Sequence, residues 1–259
     1  MNKQMPVLFV GHGDPMIALR KDALTTAMNH VGERILNDYG KPKAILAISA
    51  HWYTRGTFIQ SAPEPKQVYD MYGFPKELYE VKYPVTGNAH LTEEVQSLLE
   101  SKISVNDEWG IDHGTWTVLV HMFPKTDIPV VQLSVNGLLR GTESWKIGQT
   151  LAPLRKEGYL ILASGNVVHN LQQIEWDNAH GSKEAEAFSR YVTDAVVKRK
   201  DKSLIHWQNG PFANYAVPTP DHYLPLLYAL GAAQGEKAEV FNDTCNLGAI
   251  SMTSFLFGV

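Results

Sequence analysis

Val7-Leu8-Phe9-Val10-Gly11-His12-Gly13-Asp14-Pro15 decides the fold. Val7 to Val10 is an unbroken apolar run, the pattern of a strand covered on both faces, and Gly11 stops it. Leu19, Leu24, Met28, Val31 and Ile35 then recur at helical spacing, which predicts a helix over about residues 17–37 that ends at Gly40 and Pro42. Ala44 to Ile48 is a second short apolar run, and His51 follows it. Strand, helix and strand in that order form a crossover unit, which favours parallel strands with helices on their faces.

The rest of the chain extends this pattern. Pro129 to Val135 and Tyr159 to Ala163 read as further strands, and short strand-like pieces fill Glu239 to Phe257. Leu91–Leu99, Thr115–Met122, Ser144–Glu157, Lys183–Lys200 and His222–Gly231 read as helices. The expected inner face of Lys183–Lys200 is Ala187, Tyr191, Ala195 and Val196. Thr54 to Gly87 is rich in Pro, Tyr and Gly and lacks periodicity, and connections of that length are usually functional. No repeat or linker divides the sequence. The expectation is an α/β fold, a single domain over residues 1–259, with a mixed, largely parallel central sheet and helices on both faces. Such sheets bind ligands in the crevice beyond the carboxyl ends of their strands.

Composition narrows the function. The chain has 259 residues, 44% of them hydrophobic and 19% charged, with a formal net charge of −4, as in an ordinary globular protein. It has no dense basic stretch, which speaks against nucleic-acid binding. No apolar run reaches membrane-spanning length and the first six residues carry no leader pattern, so a cytoplasmic protein without membrane association is expected. Cys245 is the only cysteine, which excludes an intrachain disulfide and fits a reducing compartment. A small buried thiol accounts for it better than a nucleophile does.

Four histidines follow strand-like runs or sit in Gly/Pro/Asn-rich turns: His12, His51, His169 and His222. Imidazole is the commonest protein metal ligand and titrates near neutrality. Neighbouring parallel strands lie about 4.8 Å apart, so His12 and His51 at adjacent strand ends would share one metal ion. Each histidine alone is equally well a hydrogen-bonded structural residue; the four together point to a metal centre with a proton-transfer group. His113 follows Asp112, whose carboxylate would orient the ring, cap the next helix, or do both. His30, His90, His121, His180 and His206 lie on polar or helical stretches and take no assigned role. Gly11-His12-Gly13 lacks the rest of a nucleotide-binding loop, and neither Gly-x-Ser-x-Gly nor His-Glu-x-x-His occurs.

Five segments in order resemble the class III extradiol ring-cleaving dioxygenases, and among them the 4,5-DOPA extradiol dioxygenase type. They are Gly11–Met16, Ser49–Trp52, Asp112–Trp116, Ala163–Asn170 and Pro218–Pro225. The resemblance implies a non-haem Fe(II) enzyme that opens a catechol ring, such as that of DOPA, with O₂. It implies His12, His51 and His222 as metal ligands. His169 matches the acid/base histidine and is a further candidate ligand, and His113 matches a catalytic histidine lining the substrate pocket. Flat substrates favour aromatic walls, and Trp52, Trp116 and Tyr223 are the expected substrate-binding residues, with Tyr72 and Phe74 as further wall candidates. Relatives that cleave protocatechuate place a glutamate where His222 stands here, beside Asp221. An all-histidine set also suits Zn(II), which cannot activate O₂. Two other readings therefore stay open on the same fold: a non-catalytic metal-binding interaction module and a zinc-dependent hydrolase. A monomer or a small homo-oligomer is expected.

Overall fold

The computed structural model describes residues 3–259. Ten strands are present among them: β1 (Val7–Gly11), β2 (Ala44–Thr54), β3 (Phe58–Ile59), β4 (Ser104–Val105), β5 (Val130–Asn136), β6 (Tyr159–Gly165), β7 (Ala238–Phe241), β8 (Cys245–Asn246), β9 (Ile250–Ser251) and β10 (Ser254–Phe257). Eight form one sheet in the order β4-β3-β5-β2-β6-β1-β10-β7, while β8 and β9 pair separately. The four central strands, β5, β2, β6 and β1, run parallel. The mixed character comes from the flanks, where β10 lies antiparallel to β1 and β3 antiparallel to β5.

β1, β5 and β6 are buried along their whole length; β1 and β6 accordingly read as nearly continuous apolar runs, while β5 buries Gln132, Ser134 and Asn136 between its apolar residues. Alternate residues serve opposite cores. Val7, Phe9, Leu46 and Ile48 pack on one face with Val192, Leu226 and Leu230. Leu8, Val10, Ile45 and Ala47 pack on the other with Met28, Ile35 and Leu119. The helices that cover these faces are α1 (Ala23–Tyr39), α2 (Lys76–Glu80), α3 (Ala89–Leu99), α4 (His113–Met122), α5 (Gly141–Leu151), α6 (Lys183–Val197), α7 (Asp201–Ile205), α8 (Ala213–Ala216) and α9 (Leu224–Ala232). Among the described residues no helix is long and apolar enough to cross a membrane.

Several boundaries differ from the sequence reading, for local reasons. Asp22 caps α1, and Pro15–Leu19 forms a separate 3-10 turn ahead of it. α5 ends at Leu151, and a 3-10 turn containing Pro153, which has no N–H for the α ladder, carries the chain on to Arg155. The buried face of α6 is Ala185, Phe188, Ser189, Val192, Ala195 and Val196, so Ala187 and Tyr191 are only half-buried.

Two corrections bear on the site. First, β1 and β2 are not neighbours: β6 lies between them, pairing Val10 with Ser164 on one side and Ser164 with Ser49 on the other. Two strand spacings, about 9.6 Å, therefore separate the strands that carry His12 and His51. Second, β2 continues past Ile48 to Thr54, so His51 lies inside a strand. Its pairing with β5 jumps from Ser49–Ser134 to Tyr53–Val135, which leaves Ala50, His51 and Trp52 in a bulge. Bulges of this kind re-aim side chains, and this one turns His51 back over the end of β6 toward His12.

Candidate active site

Five histidines meet beyond the carboxyl ends of the central strands. His12 follows β1, and its backbone N–H donates to the Gly165 carbonyl at 3.2 Å. Its Nδ1 lies 2.8 Å from Ser164 Oγ, and that hydroxyl donates its own proton to the Gly114 carbonyl. Ser164 must then accept from His12, so Nδ1 bears the hydrogen and Nε2 keeps a lone pair. His51 Nδ1 lies 3.2 Å from Asp70 Oδ2, which by the same logic leaves its Nε2 bare. The two Nε2 atoms face each other at 3.1 Å.

Two bare lone pairs at that separation repel unless a cation lies against both. Nitrogens bound to one ion at about 2.1 Å stand roughly 3.0–3.4 Å apart for right-angle to tetrahedral geometry. His222, at the entry to α9, gives its Nδ1 to Asp221, while its Nε2 is buried with no partner. Its ring centroid is 5.2 Å from that of His12 and 5.0 Å from that of His51. The donor set, the facing pair and the orphaned nitrogen fit a divalent metal ion.

His113 opens α4, two residues earlier than the sequence suggests, because Asp112 is the N-cap and accepts from the Thr115 N–H. The His113 ring lies 3.8 Å from that of His51, centroid to centroid. Asp112 does not orient it: this buried carboxylate takes hydrogen bonds from Ser49 Oγ and Trp109 Nε1. Asp70 touches His113 instead, with Oδ1 3.0 Å from its Nδ1. That pair is too poorly aligned for a hydrogen bond and leaves the nitrogen without another partner. His169 lies over His222, held by its backbone N–H to the Ala216 carbonyl at 2.9 Å. The donor atoms of His12, His51 and His113 lie within 4.8 Å of one another, as do those of His169, Asp221 and His222.

Burial, reinforced by neighbouring histidines, holds His12 and His222 well below the usual imidazole pKa. Burial and His51 lower His113 despite Asp70, and burial takes His169 down to about 4. His51 alone is raised: burial pulls it down, but Asp70, then Asp112 and Asp221, outweigh that. Burial opposes ionisation of Asp70, yet contacts with His113 and His51 hold its carboxyl far below the carboxylate range. Four of the five rings are thus neutral near pH 7, the form that binds metal.

The cleft above these rings encloses about 720 Å³. Its apolar walls include Met71, Tyr72, Phe74, Leu171, Ile174 and Trp176. Tyr72 and Phe74 were expected there; Trp52, Trp116 and Tyr223 do not line it. Trp52 is buried within the β2 bulge. Trp116 is fully buried and donates from Nε1 to the Val68 carbonyl at 2.9 Å, which anchors the 54–87 segment. Tyr223 is fully buried, stacks near Trp207 and donates to the Leu204 carbonyl. Large aromatic side chains beside a ligand histidine are as apt to support it from beneath as to face the ligand. Sequence reasoning missed Asp70 altogether; its one signal was a carboxylate set among aromatic residues, Tyr69-Asp70-Met71-Tyr72-Gly73-Phe74, in an otherwise aperiodic stretch.

Residues 7–258 match the family model described as the catalytic LigB subunit of aromatic ring-opening dioxygenase. A protein of Escherichia coli K12 named 4,5-DOPA dioxygenase extradiol is 38% identical, with 98% of this chain and 95% of that protein aligned. A Beta vulgaris protein of the same name is 35% identical, over 96% of this chain and 95% of its own length. The crystal structure of an uncharacterised Escherichia coli K12 protein superposes with a TM-score of 0.85 at 35% identity, covering 98% of this chain and all of that one. The chain therefore belongs to the LigB family and is an extradiol aromatic ring-opening dioxygenase.

Proposed function

We propose that the enzyme opens the ring of a catechol, with DOPA as a candidate, on a metal ion held by His12, His51 and His222. The observation that carries this reading is the 3.1 Å approach of two Nε2 atoms whose Nδ1 partners are already committed. Fe(II) is the metal proposed for turnover and Zn(II) a competing occupant; bound iron would activate O₂ and acidify the catechol hydroxyls.

The chain's own residues supply the remainder. His169, neutral at pH 7 and placed over His222, takes a proton from a substrate hydroxyl at its free ring nitrogen. His113, against His51 and at the cleft wall, accepts a hydrogen bond from a hydroxyl of the bound substrate at its Nε2. Met71, Phe74 and Ile174 cover the ring and exclude water, while Tyr72 and Trp176 stand at the mouth. The buried, free Cys245 fits a cytoplasmic setting. A monomer or small homo-oligomer suffices, since one chain provides every residue of the proposed centre.

Anaerobic Fe(II) reconstitution followed by a catechol panel under air is the test. Yellow ring-opened product with matching oxygen uptake is the expected result. Activity with Zn(II) and no oxygen demand would indicate a hydrolase instead, and no colour with any catechol would indicate a binding module.

A further inference from the structure

Asp70 reaches two imidazoles that belong to different parts of the fold. Oδ2 is 3.2 Å from Nδ1 of His51 in the β2 bulge, and Oδ1 is 3.0 Å from Nδ1 of His113 at the start of α4. Oδ1 also accepts the backbone N–H of His113 at 3.0 Å. The segment that carries Asp70 is pinned nearby: Val68 donates to the Ile111 carbonyl at 2.8 Å and Ile111 to the Lys66 carbonyl at 2.9 Å. The carboxylate is thus held by the His113 N–H and by the backbone bonds that join residues 66–68 to Ile111.

A carboxylate accepts and does not donate, so both facing Nδ1 atoms are favoured as N–H. That leaves Nε2 as the lone-pair atom in both rings, and in His51 this is the atom that faces His12. The imidazole set itself contributes no negative charge; Asp70 places one behind His51 and His113, as Asp221 does behind His222. The next residues, Met71, Tyr72 and Phe74, form the cleft wall, so the same anchor ties the wall to the centre.

We propose that Asp70 is a positioning residue that fixes the tautomer and orientation of His51 and His113 and adds a negative charge on their side of an all-histidine centre. The proposal rests on the reading that His51 binds the metal. Carboxylates behind ligating histidines typically change metal affinity by about 10–100-fold when removed.

The test uses Asp70→Asn and Asp70→Ala in the full chain, with Zn(II) as the probe. The amide of Asp70→Asn keeps the shape but offers one acceptor oxygen for two ring N–H groups, and Asp70→Ala serves neither ring. Chelator competition should show Zn(II) binding roughly 10–100-fold weaker in both variants. ¹⁵N spectra of the metal-free wild type at mildly alkaline pH should show His51 and His113 as the Nδ1–H tautomer, with mixed tautomers in the variants. Circular dichroism confirms folding, and the isosteric Asp70→Asn decides the matter if Asp70→Ala does not fold. Folded variants that bind Zn(II) within about twofold of wild type with unchanged tautomers would overturn the proposal. Unweakened zinc binding by His51→Ala would instead overturn the metal-centre reading beneath it.

Discussion

The rings of His169 and His222 lie flat on one another, with centroids 3.4 Å apart and planes 5° from parallel. Two protonated imidazoles could not share that stack. Burial already lowers both, and each ring's charge would further penalise the other's.

The division of labour between them is testable by substitution. His12→Ala, His51→Ala and His222→Ala should each abolish metal retention, measured by metal analysis after gel filtration. His169→Ala should keep its metal and lose about 10²–10⁴-fold in kcat, the usual worth of a general base. Full metal occupancy in the first three variants would count against the assigned ligand set.

Metal-free protein should lose stability in acid through His169. Its pKa is about 4 in the folded state, against 6.5 when unfolded, so between those values the unfolded chain binds more protons. That contribution is complete above pH 6.5, declines as the pH falls toward 4, and changes no further below it. His12, His113 and His222, all lowered, act in the same direction, and His51, which is raised, opposes them. Thermal midpoints of apo protein across pH 7 to 4 should fall, and a flat profile would contradict the burial of neutral rings.

Gly114 is a steric requirement of the site. A Cβ there would sit 2.7 Å from Ser49 Oγ, 2.9 Å from His51 Cδ2 and 3.3 Å from His12 Nδ1. Gly114→Ala should therefore displace the His51 ring, at a stability cost of about 1–3 kcal/mol. Reduced zinc affinity together with a lower thermal midpoint is the expected pair of results.

The aromatic residues should separate by role. Trp176, 68% exposed at the mouth of the cleft, should on replacement by alanine raise KM several-fold with little change in stability. Trp116, fully buried, should on the same change cost about 3–5 kcal/mol in unfolding free energy. Denaturant titration and steady-state kinetics distinguish the two.

Charge on the substrate should matter as well. The cleft wall includes Asp70 and Asp221, besides Asp14, which Arg20 pairs, and among the described residues lining it there is no lysine or arginine. A catechol whose tail ends in an ammonium should have a kcat/KM roughly tenfold above one ending only in a carboxylate, a difference of about 1.4 kcal/mol. Equal values for the two would show that the acidic wall does not face the tail.

The central sheet was legible because its strands are buried on both faces and so appear as unbroken apolar runs, such as Val7–Val10 and Tyr159–Ala163. The convergence of the histidines was legible because parallel strands direct the residues that follow them to one edge. Strand order was hidden, since apolar runs do not say which of them pair, and β6 came between β1 and β2. The bulge at Ala50–Trp52 left no turn residue to mark it. Asp70 lies in a stretch without periodicity, and its link to His51 and His113 arises only from long-range folding.

β6 contributes no ligand, yet it sets the interval between the two rings that face each other. Ser164 sits at the midpoint of that span, fixed in register by the strands on either side. A bulkier residue there would press on His12, whose Nδ1 meets the Ser164 hydroxyl, and so change which ion fits without touching the substrate wall. The walls come instead from connecting segments outside the sheet. Most of the wall can therefore be redesigned without touching the strands that space the rings, and Asp70 is the residue through which a change in one would reach the other.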